Sequence, residues 1–503
     1  MVNLDVSFLM RGKLDVMASF LERAPLLFYA LLFTLGSGAA LAFHLSYLIP
    51  IALLCLSYRP AVALCVALLG FAWASLSYQF PKIGEEGVEG RGIFKIDSLS
   101  YITSPFQRSL CFKGFLREFH TNDRKWKNVP CQIYFSKNKI PPQADRDLQV
   151  TGKLLLKEKH RYLLKLQQAH PVLHSYSHAQ WRFDLKNRIG NFFRKQFSEP
   201  KSCAFLFSML TGEANDRLLS LEFNRLGLLH LIGISGFQFS LLAYLLNFLS
   251  RFFLSYSKGC LVVMLLLSMY AFALGSSPPI ERAWVALVLY LIALLLGYQA
   301  TPINFLGAAL FYSLLREPLY LFHLGFQFTF LCTLAILITY PACQSLFSCL
   351  SPRRTFKEVT QMSLLDQQGY LLSFFFRESL ALNLSIHLVT LPLILYQFHK
   401  FPLLSLVYNL FLPSVASLIY GLLIVGMIMS LVIPHLGALI NRITEGLTIF
   451  TLKLASYPPV LYDFQWRTPC FSMTVMVITL TVIITLSIFR SHKLSHIATR
   501  PFR

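Results

Sequence analysis

Two blocks of membrane-length apolar sequence flank one long polar interruption, and no water-soluble fold can bury both blocks. A hydrocarbon core about 30 Å thick needs roughly 17 to 25 apolar residues per helical crossing. Stretches of that kind occupy residues 26–79 and 226–489, and residues 81–202 contain none. Only 14% of the chain is charged and 55% is hydrophobic, whereas an ordinary globular chain carries about 25% charged residues. The expected fold is a polytopic α-helical membrane protein of eleven spans with a small all-β, OB-like soluble domain inserted among them.

The expected spans are 26–43, 45–58, 61–79, 226–249, 258–274, 283–298, 302–315, 322–340, 382–398, 403–433 and 471–489. The Arg59-Pro60 pair marks a break, and the second span is short. The segment 403–433 contains Pro413 and is longer than one crossing needs, so one tilted span and two short ones both fit. The first apolar stretch runs directly into further apolar sequence and reads as an anchor rather than a cleaved signal peptide. Arg11, Lys13 and Arg23 place the N-terminus in the cytoplasm by the positive-inside rule. Three crossings then put the insert on the outer, periplasmic side of the cell inner membrane.

Within the insert, Gly92 to Tyr101, Leu110 to Phe119, Val129 to Phe135, Leu148 to Lys157 and Tyr162 to Leu166 read as strands between polar turns. In the fourth, Val150, Gly152, Leu154 and Leu156 face one way and Thr151, Lys153 and Lys157 the other. Gly114 and Gly152 stand where a small barrel must bend. Trp181 to Phe197 reads as a basic amphipathic helix suited to the membrane interface.

Residues 81–202 hold 23 Lys and Arg against 11 Asp and Glu, more than half of the chain's net charge of +21. Aromatic residues are interleaved with these charges, as on a surface that stacks bases while neutralising phosphates. The candidates are Lys113, Arg117, Arg124, Lys125, Trp126, Lys127, Lys153 and Lys157. A solvated domain held against anionic lipid head groups fits the same composition. Cys111 and Cys131, on adjacent expected strands, would form a disulfide in an oxidising compartment. The remaining cysteines lack metal-ligand spacing, and His170, His174 and His178, interrupted by Pro171, read as a polar linker. No cofactor or metal site is expected.

The densest functional signal is the run from Leu226 to Ser240, which carries Gly227, His230, Gly233, Ser235, Gly236 and Gln238. Polar side chains are costly in a bilayer, and its Gly-Ile-Ser-Gly segment invites a helix break whose freed backbone must face a cavity or other protein. Close helix packing over the glycines, with His230 bonded across, explains the same residues. His323, Gln327, Asn383, His387 and Asn409 are further polar groups in or near spans, each readable as interhelical glue and together as the lining of a wet path. Glu281 and Arg282 stand at a span entrance as a capping or interfacial pair.

This run resembles the signature of the ComEC family of polytopic competence proteins, approximately Gly-Leu-x-His-Leu-Leu-Ala-Ile-Ser-Gly-Leu-His, with Gly227, Leu228, His230, Leu231, Ile234, Ser235 and Gly236 in register. Three further segments resemble that family in order: Gly275 to Ala283 with Arg282, Pro318 followed by Gly325-Phe326-Gln327, and Pro392, Phe398, Asn409 and Pro413. Gln238 replaces the usual second histidine. Many members continue into a metallo-β-lactamase-like domain, whereas this sequence ends at Arg503 and contains no His-x-His-x-Asp-His run.

The resemblance implies transport of single-stranded DNA across the cytoplasmic membrane during natural transformation, without catalysis. It implies an N-terminal membrane region at 1–80, an OB-like domain at 81–180, the interfacial helix at 181–202, a competence-type channel domain at 203–490 and a basic tail at 491–503. His230, Gly233, Ser235, Gly236, Gln238, Arg282, Gln327 and Asn409 become channel positions, with Arg282 meeting phosphate. Besides DNA and membrane lipid, the partners implied are other competence proteins, namely a DNA receptor and a cytoplasmic helicase or ATPase; homo-oligomerisation stays open. A transporter of small anions or lipid-linked precursors is the alternative, and a membrane nuclease ranks third because it needs a cluster of carboxylates or His ligands, whereas the membrane re-entry offers only Glu213 and Asp216, which read as helix-boundary residues.

Overall fold

The computed structural model describes residues 6–498 apart from 79, 82, 85–86, 104–107, 122–123, 136–141, 159–160, 173–174, 215, 235, 276, 300, 349–351, 353 and 458–463. The chain begins with α1 (Val6–Arg23), α2 (Pro25–Leu41), α3 (Leu48–Ser57) and α4 (Pro60–Ser77). Arg59 adopts a left-handed conformation and Pro60 opens α4, so the break read at that pair is a sharp reversal.

The insert folds as β1 (Val88–Thr103), β2 (Arg108–His120), β3 (Lys125–Phe135), β4 (Leu148–Glu158) and β5 (Arg161–Pro171). They close a barrel in the order β1-β2-β3-β5-β4, with β3 and β5 parallel. Phe94, Phe112, Leu116, Phe119, Val129, Ile133, Val150, Leu154 and Leu164 fill its core. Gly114 faces Ile96 beside a bulge in β1, and its missing side chain admits the carbonyl of Lys95. The extra residue in that bulge is Asp97, which the bulge turns out of the ladder. A second register shift lies at Gly152, so both glycines mark the bends. Leu156 departs from expectation: it pairs with Tyr162 near the end of β4 and is exposed.

The disulfide expectation is overturned. Cys111 and Cys131 are buried free thiols, and the register pairs Cys111 with Tyr134 and Cys131 with Gly114. That offset of three residues, at about 3.3 Å per residue, holds their Cα atoms beyond the roughly 7 Å limit for a bridge.

Helix α5 (Ala179–Gln196) leaves the barrel and leads into α6 (Pro200–Thr211), α7 (Arg217–Arg225), α8 (Gly236–Ser250), α9 (Tyr256–Leu274), α10 (Pro278–Leu295) and α11 (Pro302–Arg316). These are followed by α12 (Leu324–Leu334), α13 (Tyr340–Ser348), α14 (Phe356–Thr360), α15 (Leu364–Phe398), α16 (Leu404–Val432), α17 (Pro434–Ser456) and α18 (Met473–Ala498). A π-helical turn, Ala335–Thr339, joins α12 to α13. Short strands β6 (Lys400–Pro402) and β7 (Gln465–Arg467) pair beside α15.

Among the described residues, eight helices are long and apolar enough to cross a membrane, or nine if the bent pair Asp15–Arg23 and Pro25–Leu41 counts as one span. The chain is a multi-pass membrane protein. Two of the eleven expected crossings fall short on length, α3 with 10 residues and α11 with 15, while α2, with 17, counts as a span only within the bent pair. The segment around Pro413 is one continuous helix of 29 residues.

Helix α17 was not expected. Its packed face carries Asn441, Thr444, Glu445, Thr448 and Thr451, which suppress the apolar signal a buried helix normally gives. Glu445 Oε1 accepts from the backbone N–H groups of Ser198 and Glu199 at 2.7 and 2.8 Å and from the Ser198 hydroxyl at 2.9 Å. It thereby satisfies donors at the start of α6 that have no partner inside that helix.

Candidate functional site

The signature run is a helix break. Asp216 caps α7 by accepting from the backbone of Leu218 and Leu219. Gly227, with φ of +70°, then reverses the chain into a 3-10 turn at Leu229–Leu231 before α8 begins at Gly236. A Cβ on Gly227 would press on Pro402 and Ser405. Ser235 lies outside the described residues. Gly233 has open space at its Cα and admits no neighbouring helix.

Gly236 meets Arg282. The guanidinium lies where a Cβ of residue 236 would be, and Arg282 Nε donates to Thr329 Oγ1 at 2.7 Å. The starts of α8 and α10 and the middle of α12 thus share one junction, and Gln238 is buried near it on α8. Gln327, on α12, donates to the carbonyl of Leu321 at 2.6 Å. Glu281 points the other way, accepting from Arg316 at 2.6 Å and from Tyr320 at 3.2 Å. The two neighbours expected to act as one pair therefore serve opposite sides of α10.

A second junction surrounds His230, which is exposed on its turn and near enough to His387 of α15 for the two rings to interact electrostatically. His387 Nδ1 lies 2.8 Å from the Asn383 carbonyl and Nε2 lies 3.4 Å from Ser405 Oγ, so the proton belongs on Nδ1 and Nε2 is the acceptor. One turn away, Asn383 Nδ2 donates to the carbonyl of Leu406 at 2.6 Å. Asn409 follows Ser405 by one turn and falls on the same face of α16. Asn383, His387, Ser405 and Asn409 thus form a polar seam between two long helices, closed at one end by the signature turn.

A rim joins these junctions to the barrel. Tyr78, just past α4, donates to Glu317 beyond α11. Burial raises the Glu317 carboxyl to about 7, against the lowering effect of the Tyr78 hydrogen bond. Burial also raises the Asp97 carboxyl, opposed by Arg182, Arg316 and Lys95. Arg182 of α5 donates to the carbonyl of Phe272 at 2.9 Å and lies over its ring. Arg161 and Lys113 of the barrel lie within electrostatic reach of His323 at the start of α12. The barrel therefore presents cations to the end of the membrane domain where the second and third signature segments begin.

The barrel candidates divide. Lys113 and Arg124 are exposed and Lys153 is half-buried. Arg117 pairs with buried Asp147 at 3.4 Å, Lys125 with Glu118 at 2.9 Å, and Lys157 donates to Tyr134 at 2.8 Å. Lys127 is exposed and opposite Glu118. Trp126 is stacked on core residue Phe119 with its ring plane only 13° away, so it belongs to the packing of the barrel. Among the described residues, no three His, Cys, Asp or Glu side chains cluster as metal ligands would. Sequence reading missed Arg377 and Glu378, paired at 2.9 Å inside α15, where Glu378 also accepts from Tyr340 and from Gln344. Two adjacent charges in an apolar run were the available signal.

Residues of the first, second and fourth signature segments fall in these two junctions, the third lies on the helix that supplies Thr329, and a family model described as competence protein matches residues 213–492. This chain belongs to the competence protein family. It is 22% identical over 310 residues to ComE operon protein 3 of Bacillus subtilis (strain 168), across 58% of this chain and 36% of the relative. The chain thus matches about a third of that relative's length. No solved structure matches. The competence family match takes in both junctions and leaves the barrel outside it.

Proposed function

We propose that this competence protein carries single-stranded DNA across the cytoplasmic membrane, with an OB-like barrel on the outer side receiving the strand and the membrane domain passing it inward. The reading assigns transport and no catalytic step. The observation that carries it is the convergence of segments spread from Gly227 to Asn409 on two neighbouring junctions, each combining a polar or cationic side chain with a glycine that admits close approach. A phosphate chain cannot meet hydrocarbon, so its route needs polar lining, and a basic vestibule raises the local concentration of strand. Arg282 supplies a charge inside α10, and His230, Gln238, Gln327 and Asn409 supply hydrogen-bonding groups. Ser235 belongs to the same route by its place in the signature. A DNA receptor and a cytoplasmic helicase or ATPase are the partners this role requires.

The test is uptake of labelled DNA into a nuclease-protected compartment in cells with the wild-type gene, a deletion, and Arg282→Gln at verified expression. The reading requires that deletion abolish protected DNA while surface binding persists, and that Arg282→Gln reduce it at least tenfold, the factor that about 1.4 kcal/mol represents. Unchanged uptake in the deletion strain rejects DNA transport and leaves small anions or lipid-linked precursors as the cargo to assay.

A further inference from the structure

A groove of about 540 Å³ opens where the barrel meets the end of α4. That is within the range of pockets holding small organic ligands, roughly 300 to 1,000 Å³. One wall is Tyr78, its ring stacked against Phe115 of β2 at 6.1 Å and against Phe80 at 6.0 Å. The lining also carries the cations Lys95 and Arg117, with Lys95 the register partner of Phe115. Asn128, in a left-handed conformation, helps line the groove, and its amide reaches the Ser77 carbonyl at 3.5 Å.

We infer that this groove is a nucleotide-binding site of the single-stranded class: one unpaired base lodges against Phe115 and Tyr78, and Lys95 and Arg117 hold its flanking phosphates. The inference rests on the DNA reading above and deepens it by naming where the strand is gripped.

Three features favour this ligand. Aromatic faces beside cations match the two halves of a nucleotide, since every base offers a π-face and every linkage a charge. Among the described residues the one carboxylate lining the groove, Glu118, is already engaged by Lys125 at 2.9 Å and His120 at 3.3 Å, and these contacts lower its pKa. Arg117 is held by Asp147 through a single nitrogen, so its remaining N–H donors stay available to a phosphate. A paired base, its faces covered by stacked neighbours, cannot use the aromatic wall.

The location adds a consequence. Tyr78 bonds to Glu317, at the rim that joins the barrel to the membrane domain. A base held here sits beside that rim. The grip therefore hands the strand to the membrane domain.

The test uses the full chain in lipid nanodiscs, with fluorescent oligothymidine and a hairpin duplex of matched length as probes, across a salt series. Phe115→Leu keeps a bulky apolar group but removes the ring; Lys95→Gln removes one charge. The expected result is a roughly tenfold loss of oligothymidine affinity in Phe115→Leu. In Lys95→Gln, the slope of log affinity against log salt should become shallower by about 0.7. Unchanged melting temperatures confirm that both variants fold. If wild type binds oligothymidine and both variants match it, the groove is not the site, although the DNA reading survives. Equal affinity for the hairpin rejects the single-strand class. If wild type binds neither probe with salt dependence, the DNA reading itself fails.

Discussion

The guanidinium of Arg282 occupies the space that the side chain of Gly236 would need. Glycine at 236 and arginine at 282 are therefore one feature, shared between α8 and α10. The residue that gives way to a larger side chain at 236 is the flexible end of Arg282, and its displacement breaks the 2.7 Å bond to Thr329.

Gly236→Ala and Thr329→Val should accordingly reduce DNA uptake by similar factors, and the double variant should be no worse than either alone. A hydrogen bond from a charged group contributes about 1.5 to 3 kcal/mol, so each factor should be tenfold or more. Additive losses in a double-mutant cycle would show that residue 236 acts through something other than Arg282. Gly233→Ala, made into open space, should leave the fold intact.

Glu317 makes stability depend on pH. Its carboxyl titrates at about 7 in the folded protein because of burial, above the ordinary glutamate value near 4.3. Folding takes up a proton between those limits, so stability falls as pH rises through that window and the effect disappears below it. Asp97, also raised by burial, pulls the same way. The melting temperature of detergent-solubilised protein should be higher at pH 5 than at pH 8, and Glu317→Gln should shrink the difference. An unchanged difference would mean that the carboxyl does not titrate in this window.

Glu445 holds the join between α5 and α6 through three hydrogen bonds on one oxygen. Glu445→Ala should destabilise the protein by about 2 kcal/mol, because it removes three hydrogen bonds to a charged oxygen and leaves part-buried N–H groups without that acceptor. Glu445→Gln keeps an acceptor and should cost less. Thermal melts of the two variants decide the order.

What the sequence made legible follows from period and chirality. Alternating residues located five strands to within a few positions, Gly114 and Gly152 announced the bends, and Arg59-Pro60 announced a reversal. Helix α17 escaped because Asn441, Thr444, Glu445 and Thr448 read as a solvated face, although they pack against the α5–α6 join and α16. The break at Gly227 to Gly236 was visible, yet its partners were not. Nothing in local composition places His387 beside His230 or Thr329 beside Arg282, since those contacts depend on how α10, α12 and α15 cross. Cys111 and Cys131 misled because adjacency of strands was read without register, and register alone decides whether two thiols can meet.

If DNA passes the junction between the signature turn and α10, a strand in transit can be captured there. A photoreactive amino acid at position 233, where the structure leaves open space, is compared with one at position 265, whose leucine is exposed on α9, during uptake of labelled DNA. Cross-linking to DNA at 233 and none at 265 is the predicted result. Efficient uptake with no cross-link at 233 would place the route away from this junction.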